Sequence, residues 1–296
     1  MTTTLIPPDL TTAITPDHPA EQAAAREQRR SGDQPARFAG VVRSEWVKLR
    51  SVRSSKTTLF SAAGVLLFVG LAAAAFTGGL LAQPADAGDG PGAGDPTSIV
   101  MSGLMLAPLI IAVLGVMAIT AEYATGTIRT TMMMVPARLP VLWAKVVVLS
   151  AVAVPVMVVT SMVTFVAGQA LLDAGGTATT SLGDPGVLRA VLGSGLYLAG
   201  IAVIGLAFGA LLRGTATAIS ALFAVLFLVP GLGALLLPSS IQDSVLPYLP
   251  SNAASSFTSV TPGPELLSTT TGAVVFAAWV VIPVLAAAVA LKRRPI

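Results

Sequence analysis

Six stretches of the chain contain no Asp, Glu, Lys or Arg: residues 57–82, 98–120, 146–170, 190–212, 215–238 and 271–291. Each is long enough to cross a lipid bilayer, whose hydrocarbon core of about 30 Å takes roughly 20 helical residues. Transmembrane strands would instead alternate apolar and polar positions over about ten residues, and these runs do not alternate. Composition agrees, with 54% hydrophobic and 10% charged residues among 296, where a soluble domain carries about 25% charged. The sequence therefore predicts an all-α polytopic membrane protein with six transmembrane helices. Within the spans, Pro155 predicts a kink and Pro230-Gly231 a break. Gly64, Gly70, Gly193, Gly195 and Gly200 favour close helix packing.

Basic residues set the orientation. With six spans both ends of the chain lie on one side, and that side holds sixteen of the seventeen Lys and Arg residues, all but Arg189. The positive-inside rule makes it the cytoplasmic side, so both termini are expected to be cytoplasmic and the protein to sit in the cell membrane. Residues 1–38 are polar and aperiodic and are expected to be a disordered tail. Residues 57–291 carry the six spans, 292–296 form a short cytoplasmic tail, and 239–270 an external loop. In that loop Ser239, Ser251 and Asn252 are helix-start signals, and two readings stay open: short helices dipping back towards the membrane, or a surface loop.

Before the first span lies AGVVRSEWVKLRSVRSSK, residues 39–56. Wound as a helix, it gathers Val41, Val42, Trp46, Leu49 and Val52 on one side, with Arg43, Lys48 and Arg50 elsewhere; Glu45 and Val47 spoil the pattern. Such a segment suits the membrane interface, with Trp46 and Leu49 at the acyl boundary and Lys48 and Arg50 near anionic headgroups. A plain positive flank that only fixes topology is the alternative.

Several functions are disfavoured by what the chain lacks. It has no cysteine, and its one histidine is His18, so thiolate and HExxH metal sites and a Ser-His pair in the membrane are excluded. A membrane protease or lipid transferase would lack its usual equipment. No span contains an ionisable group, which argues against proton or sodium coupling. A P-loop needs Gly-Lys-Ser/Thr, yet none of Lys48, Lys56, Lys145 and Lys292 follows a glycine. The basic pI of 9.6 arises from residues flanking the spans, not from a stripe suited to nucleic acid. If the chain does vectorial work, a cytoplasmic partner delivers the energy.

That partner has two places to hold: the N-terminal region before the first span and the loop 121–145. Within AEYATGTIRTTMMMVP, residues 121–136, Thr125 can cap a short helix and Gly126 permits a sharp departure from the second span. Residues 127–134 allow about two turns before Val135, which Pro136 biases away from helix. Ile128, Met132 and Met133 would face one side and Arg129 another. Glu122 and Arg129 could pair only if the chain bends at Gly126. On the residues alone, charges that merely solvate a loop are the competing account.

EYATGTIR followed by a proline and then LPVLWAKVVVL resembles the first cytoplasmic loop of ABC-type export permeases, membrane subunits that work with a separate ATPase. RSEWVKLRSVRS before the first span is similar to the N-terminal segment of such permeases in high-GC Gram-positive bacteria, and LPSSIQDSVLPYLPSNAASSF has the same flavour. The resemblance covers roughly residues 40–291. It implies that Gly126, Thr127, Ile128 and Arg129 contact the ATPase as a coupling helix, with Glu122 and Tyr123 positioning it. It also implies that 39–56 is an interfacial connecting helix, that the permease forms a homodimer or heterodimer, and that ATP and Mg are bound by the partner. No cofactor is expected in this chain. A non-transporting scaffold or sensor subunit is the alternative.

Overall fold

The computed structural model describes residues 38–81, 95–126, 139–263 and 265–293, for Ser239 and Ser240 the backbone only. The expected tail, apart from Phe38, therefore lies outside the described residues. So do most of 83–97, the segment 127–138 and the last three residues.

Every regular element described is helical. α1 (Phe38–Ser51) turns at Val52 into α2 (Arg53–Thr77). α3 (Pro96–Val100), a 3-10 turn (Met101–Met105) and α4 (Ala107–Ala124) follow, then the unbroken α5 (Leu139–Ala174) and α6 (Val187–Leu212). α7 (Thr215–Phe223) passes through a π-helical turn (Ala224–Leu228) into α8 (Val229–Leu236). α9 (Ser239–Val245), a 3-10 turn (Leu246–Tyr248) and α10 (Pro250–Thr258) precede α11 (Thr269–Arg293). Six units are long and apolar enough to span: Arg53–Thr77, Pro96–Ala124, Leu139–Ala174, Val187–Leu212, Thr215–Leu236 and Thr269–Arg293. The protein is a multi-pass membrane protein.

α6 is the central helix. It packs against α4, α5, α7, α10 and α11, and 72% of its apolar window is buried, against 17% for Thr215–Leu236. In lipid no hydrophobic force drives helices together, so close backbone approach supplies the contact. The α4–α6 seam shows how. A Cβ on Gly205 would sit 2.5 Å from the Ala112 carbonyl oxygen, and one on Gly115 would collide with the Ala202 carbonyl. Of the five glycines expected to pack closely, Gly70, Gly193, Gly195 and Gly200 press on Val100, Phe257, Val158 and Phe276. Gly64 does not; nothing lies within 4 Å of its Cβ position.

Two spans depart from the sequence expectation. The second is not one regular helix: Pro108 lacks the N–H that would bond the Leu104 carbonyl, and Gly103 lies with its Cβ position 2.5 Å from the Leu66 carbonyl oxygen. The 3-10 turn contains Gly103 and ends three residues before Pro108. The fifth span, conversely, does not break at Pro230-Gly231. The Val229 N–H bonds the Ala224 carbonyl five residues back, so a wider π turn accommodates the proline just beyond it and the helix continues. Pro155 likewise stays inside α5.

Helix also reaches into the stretch 121–145 from both sides, through Ala124 and from Leu139. α5 has 36 residues, about 54 Å of helix, well beyond the bilayer core. Its first turns place Val141 and Ala144 against Val41 of α1.

Candidate functional site

Three chain segments meet where α4 ends and α5 begins, the two helix ends that bracket residues 127–138. α4 closes with the Thr125 hydroxyl donating to the Ala121 carbonyl at 2.9 Å. The next residue, Gly126, has φ of +70°, the left-handed conformation that glycine adopts without a Cβ penalty at a helix end. Thr125 thus closes the end of α4, and residues 127–134, the short helix it was expected to cap, lie outside the described residues. Gly126 turns the chain away, as its position suggested.

Four charged side chains alternate in sign around a closed ring at this junction. Lys145 Nζ of α5 donates to Glu45 Oε2 of α1 at 2.7 Å, to Glu122 Oε1 of α4 at 2.8 Å and to the Ala118 carbonyl at 3.2 Å. Lys48 Nζ of α1 donates to Glu45 Oε1 at 2.7 Å and to Glu122 Oε1 at 3.1 Å. Side-chain exposure is 4% for Glu45, 5% for Lys145, 13% for Glu122 and 42% for Lys48. An isolated buried ion would cost several kcal/mol. Here the ammonium of Lys145 has all three of its N–H donors matched, and the four charges cancel.

Lys48 is the partly solvated member. Burial pulls its ammonium down, but the Glu45 hydrogen bond and the charges of Glu122 and Glu45 outweigh that, and its pKa lies above 10.5. The ring borders a cleft of about 330 Å³ lined also by Val52, Ser55, Met117 and Val148.

The same end is tied to the later spans. The Arg213 guanidinium lies 5.7 Å from the centre of the Tyr123 ring, within cation–π range. Arg213 itself has φ of +58° in the short α6–α7 connection. The Thr215 hydroxyl donates to Thr120 Oγ1 at 2.9 Å. α4 therefore joins the α1–α5 junction to α6 and α7.

The structure rearranges the expected residues. Glu122 pairs with Lys48 and Lys145; Thr127, Ile128 and Arg129 lie outside the described residues, so a Glu122–Arg129 pair is not among the contacts described. On α1 the buried residues are Val41 and Glu45, one turn apart, with Lys48 part-exposed beside them, while Trp46 is 42% and Val47 57% exposed. Glu45, which seemed to interrupt an apolar face, is itself buried. Lys145, counted only as a topological charge, is its partner. Leu49, Arg50 and Trp46 line a separate groove. The signal available in the sequence was a lone carboxylate in a basic helix together with a lysine opening an apolar run.

At the opposite end of the bundle Arg189 donates to the carbonyls of Ser256, Ser259 and Val260 at 3.3, 3.1 and 3.0 Å, closing the C-terminus of α10. Short helices do occupy the loop 239–270, and Ala253, Ala254 and Phe257 of α10 are buried against α6 and α11. Asn252, expected as a helix start, donates to the Leu246 carbonyl at 2.8 Å.

Fold and site define a six-span helical membrane protein whose charged groups meet beside the turn out of its second span. Residues 41–231 match the family described as ABC-2 family transporter protein. That match spans more than half of the chain, and the chain belongs to this family. No curated protein matches the sequence. Membership makes it a transport protein and not an enzyme, set in a lipid bilayer and served by a cognate ATPase. Among the described residues no group of three or more His, Cys, Asp or Glu could hold a metal ion.

Proposed function

We propose that the chain is the permease subunit of an ATP-driven exporter, working as a homodimer or heterodimer with a separate ATPase that engages residues 121–136. In this reading both termini are cytoplasmic, α1 lies along the membrane interface, and Gly126, Thr127, Ile128 and Arg129 belong to the coupling element. The observation that carries it is the Glu45–Lys145–Glu122–Lys48 ring. It clamps α1, α4 and α5 together at the two helix ends between which the coupling segment is strung. A push on that segment would thus reach both spans and α1 as one body. Ring members can exchange partners without leaving a charge bare, since each carboxylate faces two ammonium groups.

The test is co-purification with candidate ATPases, comparing the native chain with Ile128→Asp and Arg129→Glu variants that insert normally. The native chain is expected to retain one ATPase and the variants to lose it. A native chain that inserts and retains none would overturn the reading and favour a scaffold or sensor role.

A further inference from the structure

A groove of about 410 Å³ opens between α1, α2, α4 and α5, on the other side of Leu49 from the charged ring. Its chemistry is sharply divided. One end is framed by Trp46 and Arg50 of α1 and Lys56 of α2; the rest is apolar, including Leu59, Val152 and Val156. From Leu149 to Val156 the α5 wall descends about 10 Å. The cationic end is also where α2 starts, with Val52 giving its first N–H groups no side-chain cap.

The charges at this end have no acidic partner among the described residues. Among the described residues, neither Arg50 nor Lys56 forms an ion pair, and the nearby carboxylates, Glu45 and Glu122, are both engaged by Lys48 and Lys145. The other described acidic residues, Asp95, Asp173, Asp184, Asp243 and Glu265, lie at the far ends of their spans or in the connections there. The described residues of a second copy packed on this face would bring no free carboxylate to meet the two cations.

We propose that this groove is a binding site for an anionic phospholipid, its acyl chain lying along Leu59, Val152 and Val156 and its headgroup phosphate held by Arg50 and Lys56. Trp46 stands at the boundary between the two parts, where an amphipathic indole belongs. The site depends on the multi-pass placement in a bilayer and not on the exporter reading. A bound lipid would wedge against α1 next to the charged ring, so anionic lipid content would influence how firmly α1 is seated.

The test uses the full chain, purified and delipidated in detergent, with equimolar phosphatidylglycerol and phosphatidylcholine read by native mass spectrometry. Two headgroup cations are expected to give a preference for phosphatidylglycerol of about thirtyfold. The Arg50→Ala/Lys56→Ala variant is expected to bring it close to parity, while Lys292→Ala/Arg293→Ala, an equal loss of charge elsewhere, leaves it unchanged. Val152→Trp, which fills the apolar part, is expected to weaken binding of both lipids. A phosphatidylglycerol carrying a diazirine in its acyl chain, applied to the native protein, is expected to label residues 56–60 and 149–156. Equal binding of the two lipids by the native chain, a preference that survives in Arg50→Ala/Lys56→Ala, or labelling confined to other segments would each overturn the proposal. The labelling map decides the matter even if a variant fails to fold.

Discussion

The two ends of the bundle are held together by different chemistry. Where α4 ends and α5 begins, four side chains from three elements neutralise one another. At the other end one guanidinium, Arg189, satisfies three carbonyls at the close of α10, and a glycine seam brings α10 onto α11, where a Cβ on Gly272 would lie 2.5 Å from Ser256 Cβ. Side-chain ion pairs can change partners while the backbone stays intact. Carbonyls at a helix terminus have no such freedom, and a seam fitted to missing Cβ atoms has one registry. The comparison teaches that the first end is held by side chains that can re-pair and the second by a fixed fit of backbone groups.

The largest effect should come from Lys145→Met, which leaves Glu45 and Glu122 facing each other with only Lys48 between. Losing one partner of a buried pair costs about 3 kcal/mol, so thermal unfolding in detergent should shift down strongly. The double variant Glu45→Gln/Lys145→Met should recover much of that loss, because it removes opposite charges together. If the double is as damaged as the single, the ring is not the unit that holds this end.

Arg189→Ala should rank next, at about 2 kcal/mol for carbonyls left without a charged donor. Its signature is local: hydrogen exchange should rise in residues 250–260 and remain unchanged around Glu122. Gly272→Val should cost about 1–2 kcal/mol through overpacking against Ser256 and Ala253, again with changes confined to the α10–α11 contact. Exchange that spreads from either variant to the ring end would erase the distinction between the two ends.

Lys48→Met should cost less than about 1 kcal/mol, since Lys48 is part-exposed and its pairs are screened. The pH response follows from the same residue. Its pKa is raised above 10.5 in the folded protein, so its contribution to stability is complete below the unfolded-state value and is lost as pH rises through the higher folded one. Between pH 6 and 9 the stability difference between the native chain and Lys48→Met should be constant, narrowing only in strong alkali. A difference that changes across neutral pH would show that Lys48 is not held as described.

Much of this architecture could be read before any coordinates. Span number followed from apolar run length, and the turn at Gly126 from residue type. The Pro230 break failed because a widened turn ending two residues earlier absorbed the proline, and the irregular second span was missed because Gly103 is shaped by Leu66, a residue on another helix. The site was legible by halves: Glu122 and Lys48 were singled out, Glu45 was taken as a flaw in an apolar face, and Lys145 as a topological marker.

What the sequence determined by itself is what depends on neighbours in the chain: enough consecutive apolar residues to cross a bilayer, with no cysteine and no lysine following a glycine as a P-loop requires. Tertiary structure decided which face of α1 is covered and which charges meet. Glu45 and Lys145 are separated by 100 positions. Nothing local to either residue encodes the other, and a charge becomes a partner only when packing removes the water that would otherwise solvate it.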